Sequence, residues 1–461
     1  MKIPVIPPKV DTLIAKLTEN PAKPERLIEI VGLRVGPAPR GEYLHWDKLR
    51  HLTPPNNLST EEWWLAAKMA RLSLARTLHF RDKHGRPFFY TMPDIALSLL
   101  HQLDRAVSEH VPGTEQITNP QTRDSYMIRS LIEESITSSQ LEGASTTRQV
   151  AKDMLREGRK PATHGEQMIF NNYRAMQFIR EYIKDEMTPS IIIELHRILI
   201  VNTRNDHTAA GRLRREEDDI HVVDNRDSEV LHTPPAASEL TNRMKYLCDF
   251  ANEKNTEPFM HPAIRAIILH FMLGYDHPFT DGNGRTARAL FYWSMLNQGY
   301  PLIEYLSISR ILKAAPSEYA RAYLYTETDE GDVTYFIVHQ LKTILRAIRD
   351  LNQYLERKVS EVHEIEDIIR KSPTLRNRLN HRQIALLGHA MRRPNSTYRI
   401  QFHKQSHNVT YDTARTDLLE LAELKLLEKS RVGKAFVFIS PENLTERIQK
   451  LNKTDSKTRR S

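Results

Sequence analysis

The 461-residue sequence has one cysteine, Cys248, so no disulfide can form within the chain, and a cytoplasmic setting is expected. Cys248 falls in a helical run and reads as a small buried hydrophobe rather than a nucleophile. No run of about 18 apolar residues occurs, which excludes a spanning helix. The prolines of the opening "MKIPVIPPKV" leave no room for the apolar helix of an export signal, so a soluble protein with no membrane partner is expected. No internal repeat and no low-complexity block is present, apart from the polar tail "KTDSKTRRS", which reads as disordered. Apolar residues make up 40% of the chain, below average yet well above disordered chains, and the length suits two to four domains. Glycine is scarce, 16 residues in all, so the place where two stand two positions apart beside charged residues stands out.

Charge is unevenly spread. The total is +8, but positions 372–461 hold 18 Lys and Arg against 8 Asp and Glu, so the preceding 371 residues sum to −2. Any nucleic-acid partner is therefore a matter for the C-terminal fifth.

Along the chain, positions 1–60 carry Pro-rich stretches and read as irregular cover with a little strand. "STEEWWLAAKMARLSLARTL" reads as a helix opened by a capping box, Ser59 with Glu62 three positions on. A second helix follows at "MPDIALSLLHQLDRAVSEH". "RDSYMIRSLIEESITSSQLEG" is amphipathic, with Ile128, Leu131, Ile132 and Ile136 at helical spacing and Gly143 as a stop. Helices continue over "GEQMIFNNYRAMQFIREYIKD" and "TPSIIIELHRILIVN". "GRLRREEDDIHVVDNRDSEVLHTPP" departs from that spacing: a β-rich run at 220–223, the turn residues "DNRD" and the run "EVLH" suggest a hairpin, with "RREEDD" as solvated surface. Helices resume from Ser238, and the stretch from Tyr335 to about position 371 reads as one long helix or a broken pair.

The two close glycines lie in "HPFTDGNGRTAR", positions 277–288. Before it, "HPAIRAIILHFMLGYD" puts Pro262 in a first helical turn and gives Ile264, Ile267, Ile268, Phe271 and Met272 one apolar face. After it, "RTARALFYWSMLNQGY" is again helical, closed by Gly299. The motif is thus a loop entering a helix N-terminus, where free backbone N–H groups and the helix dipole favour anions. Gly282 and Gly284 can take positive φ and turn N–H groups toward one ligand. Arg285 and Arg288, three apart, share a helix face and supply two guanidinium forks, which suits a polyphosphate. Asp281 offers the hard oxygen that holds Mg²⁺ together with phosphate oxygens. His277 in its neutral form can accept a proton near pH 7. The constellation points to phosphoryl or nucleotidyl transfer. The glycine spacing matches neither a Walker A loop nor a dinucleotide fingerprint.

The string "HPFTDGNGRTAR" resembles the full signature of Fic domains, including the second arginine of adenylylating members, and the resemblance covers roughly positions 120–320. It implies that His277 deprotonates a target hydroxyl, which attacks the α-phosphate of ATP, leaves AMP on the protein and releases pyrophosphate. Asp281 would hold Mg²⁺. Gly282, Asn283 and Gly284 would cradle the α- and β-phosphates, with Arg285 near the β- and Arg288 near the γ-phosphate. Phe279 would be a buried anchor. Positioning and charge neutralisation would supply most of the catalysis.

"SSQLEG" sets Ser138 four residues before Glu142 and Gly143, which resembles the inhibitory motif of Fic proteins. Glu142 would pair with Arg288 and occupy the place of the γ-phosphate. A partly buried charged hydrogen bond is worth about 1.5–3 kcal/mol, a suppression of roughly tenfold to a hundredfold. The same family uses similar glutamates to remove AMP, so both reactions are implied. The hairpin near 215–232 resembles the family's flap, which docks a target segment as an added strand. Ile220, His221, Val222 and Val223 would be its pairing edge. His196, His270 and His232 show no metal-ligand spacing and read as packing or surface residues.

Positions 381–439 read as helix, short helix, turn, helix and two strands around "RVGK", which resembles a winged helix-turn-helix. Its third helix is framed by Thr410 and Thr413, with Leu418, Leu419, Leu421 and Leu424 inward. Tyr411, Thr413, Arg415 and Thr416 are the candidate groove contacts, and Lys429, Arg431 and Lys434 the candidate phosphate contacts. The acids Asp412 and Asp417 dilute that charge, so a protein-docking or dimerisation use stays open beside DNA binding.

The fold class expected is mainly α: a Fic-type helical core with a small β-hairpin flap, plus a C-terminal winged helix of α+β type. The expected divisions are a helical region at 1–120, the Fic domain at 121–320 with an inhibitory helix at 123–143, a helical linker at 321–371, the winged helix at 372–445 and a basic tail at 446–461. The cofactor expected is Mg²⁺, with ATP as co-substrate. The partners expected are a protein with a Ser, Thr or Tyr hydroxyl, the chain itself, DNA through 372–461, and a second copy in a homodimer. The rival reading is a DNA-binding regulator whose nucleotide site senses nucleotide or modifies only itself.

Overall fold

The computed structural model describes residues 2–19, 25–108, 120–203, 209–224, 228–253, 258–370, 378–393, 395–432 and 435–448. Helices dominate, and the sheets are small: two hairpins and one three-stranded sheet among the described residues. Contacts divide the chain into two units, one of positions 1–108, 134–146 and 162–347, the other of 109–133, 147–161 and 348–461.

The first unit begins with α1 (Val10–Thr18), α2 (Arg26–Gly32), the single turn Trp46–Leu49 and α3 (Thr60–Ser73). Among the described residues of positions 1–60 the expected strand is not found. Instead Leu13, Ile30, Leu49, Trp63 and Trp64 close a helical core. The capping box of α3 is as expected: Ser59 Oγ accepts from the Glu62 N–H at 3.2 Å, and the Ser59 N–H donates to Glu62 at 2.7 Å. The helix stops at Ser73, and the residues read as its last turn start β1 (Arg76–Arg81), paired antiparallel with β2 (Pro87–Tyr90). This segment is not a separate N-terminal region. Lys68, 2% exposed, pairs with Asp329 at 2.6 Å, Arg71 donates to Tyr335 at 2.7 Å, and Tyr43 donates to Asp332 at 2.6 Å. Burying these charges is tolerable only because each is met by a partner.

Next come α4 (Asp94–Ser108), α5 (Pro120–Leu141), α6 (Arg148–Glu157), α7 (His164–Glu181) and α8 (Pro189–Ile200). The short hairpin β3 (Val222–Val223) and β4 (Val230–His232) precedes α9 (Leu240–Asn252), α10 (Pro262–Asp276) and α11 (Asn283–Asn297). α12 (Ile308–Ala314), α13 (Pro316–Thr328) and α14 (Thr334–Arg370) follow, the last a single helix rather than a broken pair. Pro262 sits in the first turn of α10, and His261 Nδ1 caps it by accepting from the Ala263 N–H at 3.2 Å. α10 has no single apolar face. It is buried on all sides, Arg265 and His270 included, as befits a central helix. Arg265 is tolerated there because it donates to the Phe250 carbonyl at 2.7 Å.

In the second unit, α15 (His381–Arg392), β5 (Thr397–Arg399), α16 (Ile400–His407), α17 (Tyr411–Glu423) and the hairpin β6 (Glu428–Val432)–β7 (Ala435–Ile439) pack around Leu387, Leu418, Leu421 and Phe438. The sheet order is β5-β7-β6, so the strand before α16, not read from the sequence, pairs with the last strand. Leu418 and Leu421 are fully buried, while Leu419 and Leu424 pack at the edge.

Candidate active site

The expected site residues 277–288 occupy the turn between α10 and α11. α10 ends where His277 takes left-handed backbone angles, φ 44°. Such a conformation is uncommon outside glycine and needs support. Arg214 gives it: its backbone N–H donates to the Pro278 carbonyl at 2.8 Å, and its guanidinium to the carbonyls of His277 at 2.9 Å, Asp276 at 3.3 Å and Pro235. Arg214, expected as part of a solvated run, is buried and positions the catalytic candidate.

The His277 imidazole donates from Nδ1 to the Gly274 carbonyl at 3.1 Å, a tautomer that leaves Nε2 as acceptor. Burial pushes its pKa down to about 4, so the ring is neutral near pH 7. Phe279 is wholly buried and stacks on His196 at 3.7 Å between ring centroids. His196 Nε2 in turn donates to the Asp281 carbonyl at 3.0 Å, and its Nδ1 accepts from the Gly211 N–H at 3.2 Å. Asn283 points inward and staples the loop, exchanging hydrogen bonds with the backbone of Phe279 at 2.9 and 2.7 Å. Its contribution to a ligand is through the backbone alone.

Gly282 has φ 77°, and a Cβ there would lie 2.9 Å from Ile200. Gly284 is different from the expectation. It is helical, and what it needs is the absence of a side chain: a Cβ would lie 2.1 Å from Glu142 Oε1 and 2.9 Å from Arg288 Nη1. Arg285 and Arg288 are fully buried. Arg285 Nη1 donates to the Leu199 carbonyl at 3.1 Å, and burial lowers its pKa against the pull of Asp281 and Glu142. Burial opposes the charge of Arg288 too, but Glu142, Tyr319 and Glu134 outweigh it and raise its pKa. Arg288 Nη2 donates to Glu142 Oε1 at 2.8 Å and to the Ser138 carbonyl at 3.1 Å, and its Nε to Ser138 Oγ at 2.9 Å. Glu142 and Ser138, some 150 residues away in sequence, thus touch the motif at Arg288.

Three donors stay buried without a hydrogen-bond partner among the described residues: Arg285 Nε and Nη2, and Arg288 Nη1. They flank the two glycines, with Arg285 Nη2 3.6 Å and Arg288 Nη1 2.9 Å from the Cβ positions of Gly282 and Gly284. Buried guanidinium N–H groups are expensive to leave unpaired, and phosphate oxygens would satisfy them. The Asp281 side chain is 37% exposed at the same loop, its Oδ1 accepting from the Gly282 N–H at 2.6 Å and lying 3.6 Å from Arg285. Among the described residues no group of three His, Cys, Asp or Glu could hold a metal, so Mg²⁺ would rely on Asp281, phosphate oxygens and water.

One residue went unnoticed in the sequence. Glu134, on α5, the helix that leads into Glu142, is buried and accepts from Ser307 Oγ at 2.9 Å, the Ser309 N–H at 3.1 Å and Ser309 Oγ, with burial raising its pKa. It ties α5 to the start of α12.

The hairpin is shorter than expected. Val222 pairs with His232 and Val223 with Val230, and the turn at 225–227 lies outside the described residues. Ile220 and His221 are not in the strand. The helical turn Glu216–Asp218 ends with Asp219 at φ 42°, which redirects the chain, and His221 bonds Asp219 and Thr233. His232 is buried between Glu327 at 2.8 Å and the Tyr275 carbonyl at 2.7 Å, and His270 bonds Tyr319 at 2.8 Å. Neither is a surface residue. In the second unit Tyr411, Arg415 and Thr416 are exposed on α17, Thr413 is half-buried at its cap, and Lys429 and Arg431 lie over Phe436 on the hairpin. Lys434 lies outside the described residues. Asp417 does not dilute the surface charge. It is buried, held by Arg382 at 2.6 Å and His403 at 3.0 Å.

A glycine loop at a helix N-terminus, two buried guanidiniums with donors that lack a hydrogen-bond acceptor and a neutral imidazole are together what a phosphate ester beside a proton acceptor would require. Residues 186–295 match the model of the Fic/DOC family. Over 117 residues it is 36% identical to protein adenylyltransferase Fic of Nematostella vectensis, covering 25% of each chain. Over 186 residues it is 30% identical to protein adenylyltransferase Fic of Drosophila willistoni, covering 40% of this chain and 33% of that one. The solved structure of a Fic family protein from Desulfovibrio desulfuricans G20 aligns with a TM-score of 0.49 at 20% identity, over 76% of this chain and 97% of that chain. The chain spans a quarter to a third of the length of the curated relatives it matches. Among the described residues no helix is long and apolar enough to cross a membrane.

Proposed function

We propose that the chain transfers AMP from ATP to a hydroxyl group of a protein, itself included, and that Glu142 restrains the reaction. The observation that carries this reading is the set of Arg285 and Arg288 N–H groups that lack a hydrogen-bond acceptor beside Gly282 and Gly284, closed off by Glu142. His277 Nε2 takes the proton of the target hydroxyl. The freed oxygen bonds to the α-phosphorus, and the bond from that phosphorus to the bridging oxygen breaks, releasing pyrophosphate. The backbone N–H groups at 283 and 284 and the two guanidiniums hold the phosphates in line and match their charge. Mg²⁺ held by Asp281 would neutralise charge on the leaving phosphates. Val222 and Val223 offer a free strand edge for a target segment.

Intact mass after incubation with Mg²⁺ and ATP tests this on the full chain, Glu142→Gly and Glu142→Gly/His277→Ala. Gain of one AMP mass in Glu142→Gly alone is expected. Equal gain in the double variant would remove His277 as the base. No gain in any of them, with an added target pool also unlabelled, would sink the transfer reading.

A second reading concerns the C-terminal hairpin and helix. Exposed Tyr411, Arg415, Lys429 and Arg431 favour a nucleic-acid surface. Affinity for duplex DNA that falls steeply with salt, and is lost on Arg415→Ala/Lys429→Ala, would support it. Salt-insensitive binding would not.

A further inference from the structure

The second unit contains a cavity of about 490 Å³ unconnected with the chemistry above, lined among others by Arg129, Lys152, Arg156, Tyr354, Phe402 and His407. Its wall is unusually cationic. Arg129 lies over the Tyr354 ring at 3.4 Å from the centroid and Arg156 over Phe402 at 4.8 Å, so the rings hold the guanidiniums by their faces and leave the N–H edges for a ligand. None of Arg129, Lys152 and Arg156 makes an ion pair among the described residues. The nearby acids are engaged elsewhere: Glu133 with Arg148 at 2.6 Å, Asp153 with Gln149 at 2.9 Å, Glu157 with Arg399 at 3.6 Å, and Asp417 with Arg382 and His403. His407 Nδ1 is buried in the lining with no hydrogen-bond partner. Three cations and an orphaned ring nitrogen around one hollow are costly unless an anion completes them.

We propose that this cavity binds a small phosphorylated molecule, its phosphate gripped by Arg129, Lys152 and Arg156. The volume is several times that of a lone phosphate and falls in the range of small-molecule pockets, about 300–1,000 Å³. Burial pushes Lys152 down to about 8 and Arg129 and Arg156 down to about 10, against the pull of Glu133 on Arg129 and Lys152 and of Asp153 on Arg156, with neighbouring cations adding to the effect on Arg129 and Lys152. A bound phosphate relieves that repulsion. The proposal is independent of the AMP-transfer reading.

Calorimetric titration with inorganic pyrophosphate tests it, using the full chain with Arg288→Ala to weaken the Fic site. Expected is one bound pyrophosphate with Kd below about 1 mM. Adding Arg129→Gln/Arg156→Gln should weaken it at least about tenfold, the worth of one lost charged hydrogen bond. Lys152→Met, at a half-buried position, gives a second variant should the pair fail to fold, and weakening of about threefold or more is expected. Binding within about twofold of the parent in a folded Arg129→Gln/Arg156→Gln chain overturns the proposal, as does no binding by the parent. Displacement of pyrophosphate by micromolar duplex DNA would reassign these cations to a nucleic-acid backbone and overturn it too.

Discussion

Removing the Glu142 carboxylate is the perturbation with the clearest expected size. Arg288 and Glu142 meet at 2.8 Å with side chains 1% and 28% exposed. At an effective dielectric of about 20 two unit charges at that distance attract by roughly 6 kcal/mol. Desolvation of a buried guanidinium takes back much of that, leaving the about 1.5–3 kcal/mol typical of charged hydrogen bonds. A γ-phosphate that must displace Glu142 loses this amount, so Glu142→Gly should raise kcat/KM for ATP by roughly ten- to a hundred-and-fifty-fold. Glu142→Gln keeps the shape and most of the packing but not the charge, and should recover a large part of the gain. The assay is the initial rate of AMP incorporation from α-labelled ATP across an ATP series. A change below about threefold for Glu142→Gly would mean that the pair does not compete with phosphate, and the reasoning from its geometry would fail.

Other expectations concern acid, packing and anchoring. With His277 held near 4 by burial, kcat/KM of the released enzyme should be flat from about pH 5.5 to 8; an inflection near 6.5 attributable to His277 would contradict its neutral, buried state. Folding stability should fall with acid. His45, His277 and His339 sit near 4 when folded, so the unfolded chain takes up protons first and stability is lost as pH drops from about 6.5 through 4. Asp276, raised to about 6, and Glu134 and Asp332, raised by burial, work the other way, while His270 and His407 are lowered as well, and denaturant midpoints at pH 7.5 and 5.5 would show the net sign. Phe279→Ala should cost about 3–5 kcal/mol in urea unfolding, since a wholly buried ring stacked on His196 is lost. Glu134→Ala should cost about 2–4 kcal/mol by leaving the Ser307 and Ser309 donors unmet, and a melting point unchanged within a degree or so would refute that anchor.

The chemistry of the site was legible because it is local. Twelve consecutive residues carry the imidazole, the acid, the glycines and both arginines, and the short "SSQLEG" supplies their counterpart. The supports were not legible, because they act at long range. Arg214 holds His277 from 63 positions away, His196 reaches Asp281 across 85, and Glu134 meets Ser307 across 173. Each looks ordinary in its own segment, Arg214 most of all, lying in a charged run that suggests solvent. Gly284 was noticed for the wrong reason: backbone freedom was expected, whereas the structure asks for an empty place beside Glu142. The β1–β2 hairpin was missed although its signal is present. "RTLHFRDKHGRPFFY" alternates buried and exposed residues about a turn at Gly85. The helical spacing of the preceding residues runs on past Ser73, and that continuity hides the change of period.

The closeness of Gly284 to Glu142 also bears on how such a restraint can be inherited. Any side chain at 284 collides with the glutamate and with Arg288 at once, so on the proposed reading a change in the loop would not free the enzyme without also disturbing its grip on phosphate. A selection for hyperactive variants should therefore return substitutions at Ser138 on α5 and at Glu142 just beyond its end, and almost none among residues 282–288. Loss of restraint is one step away on the helix, while the loop that needs restraining is shielded from that route by its own crowding.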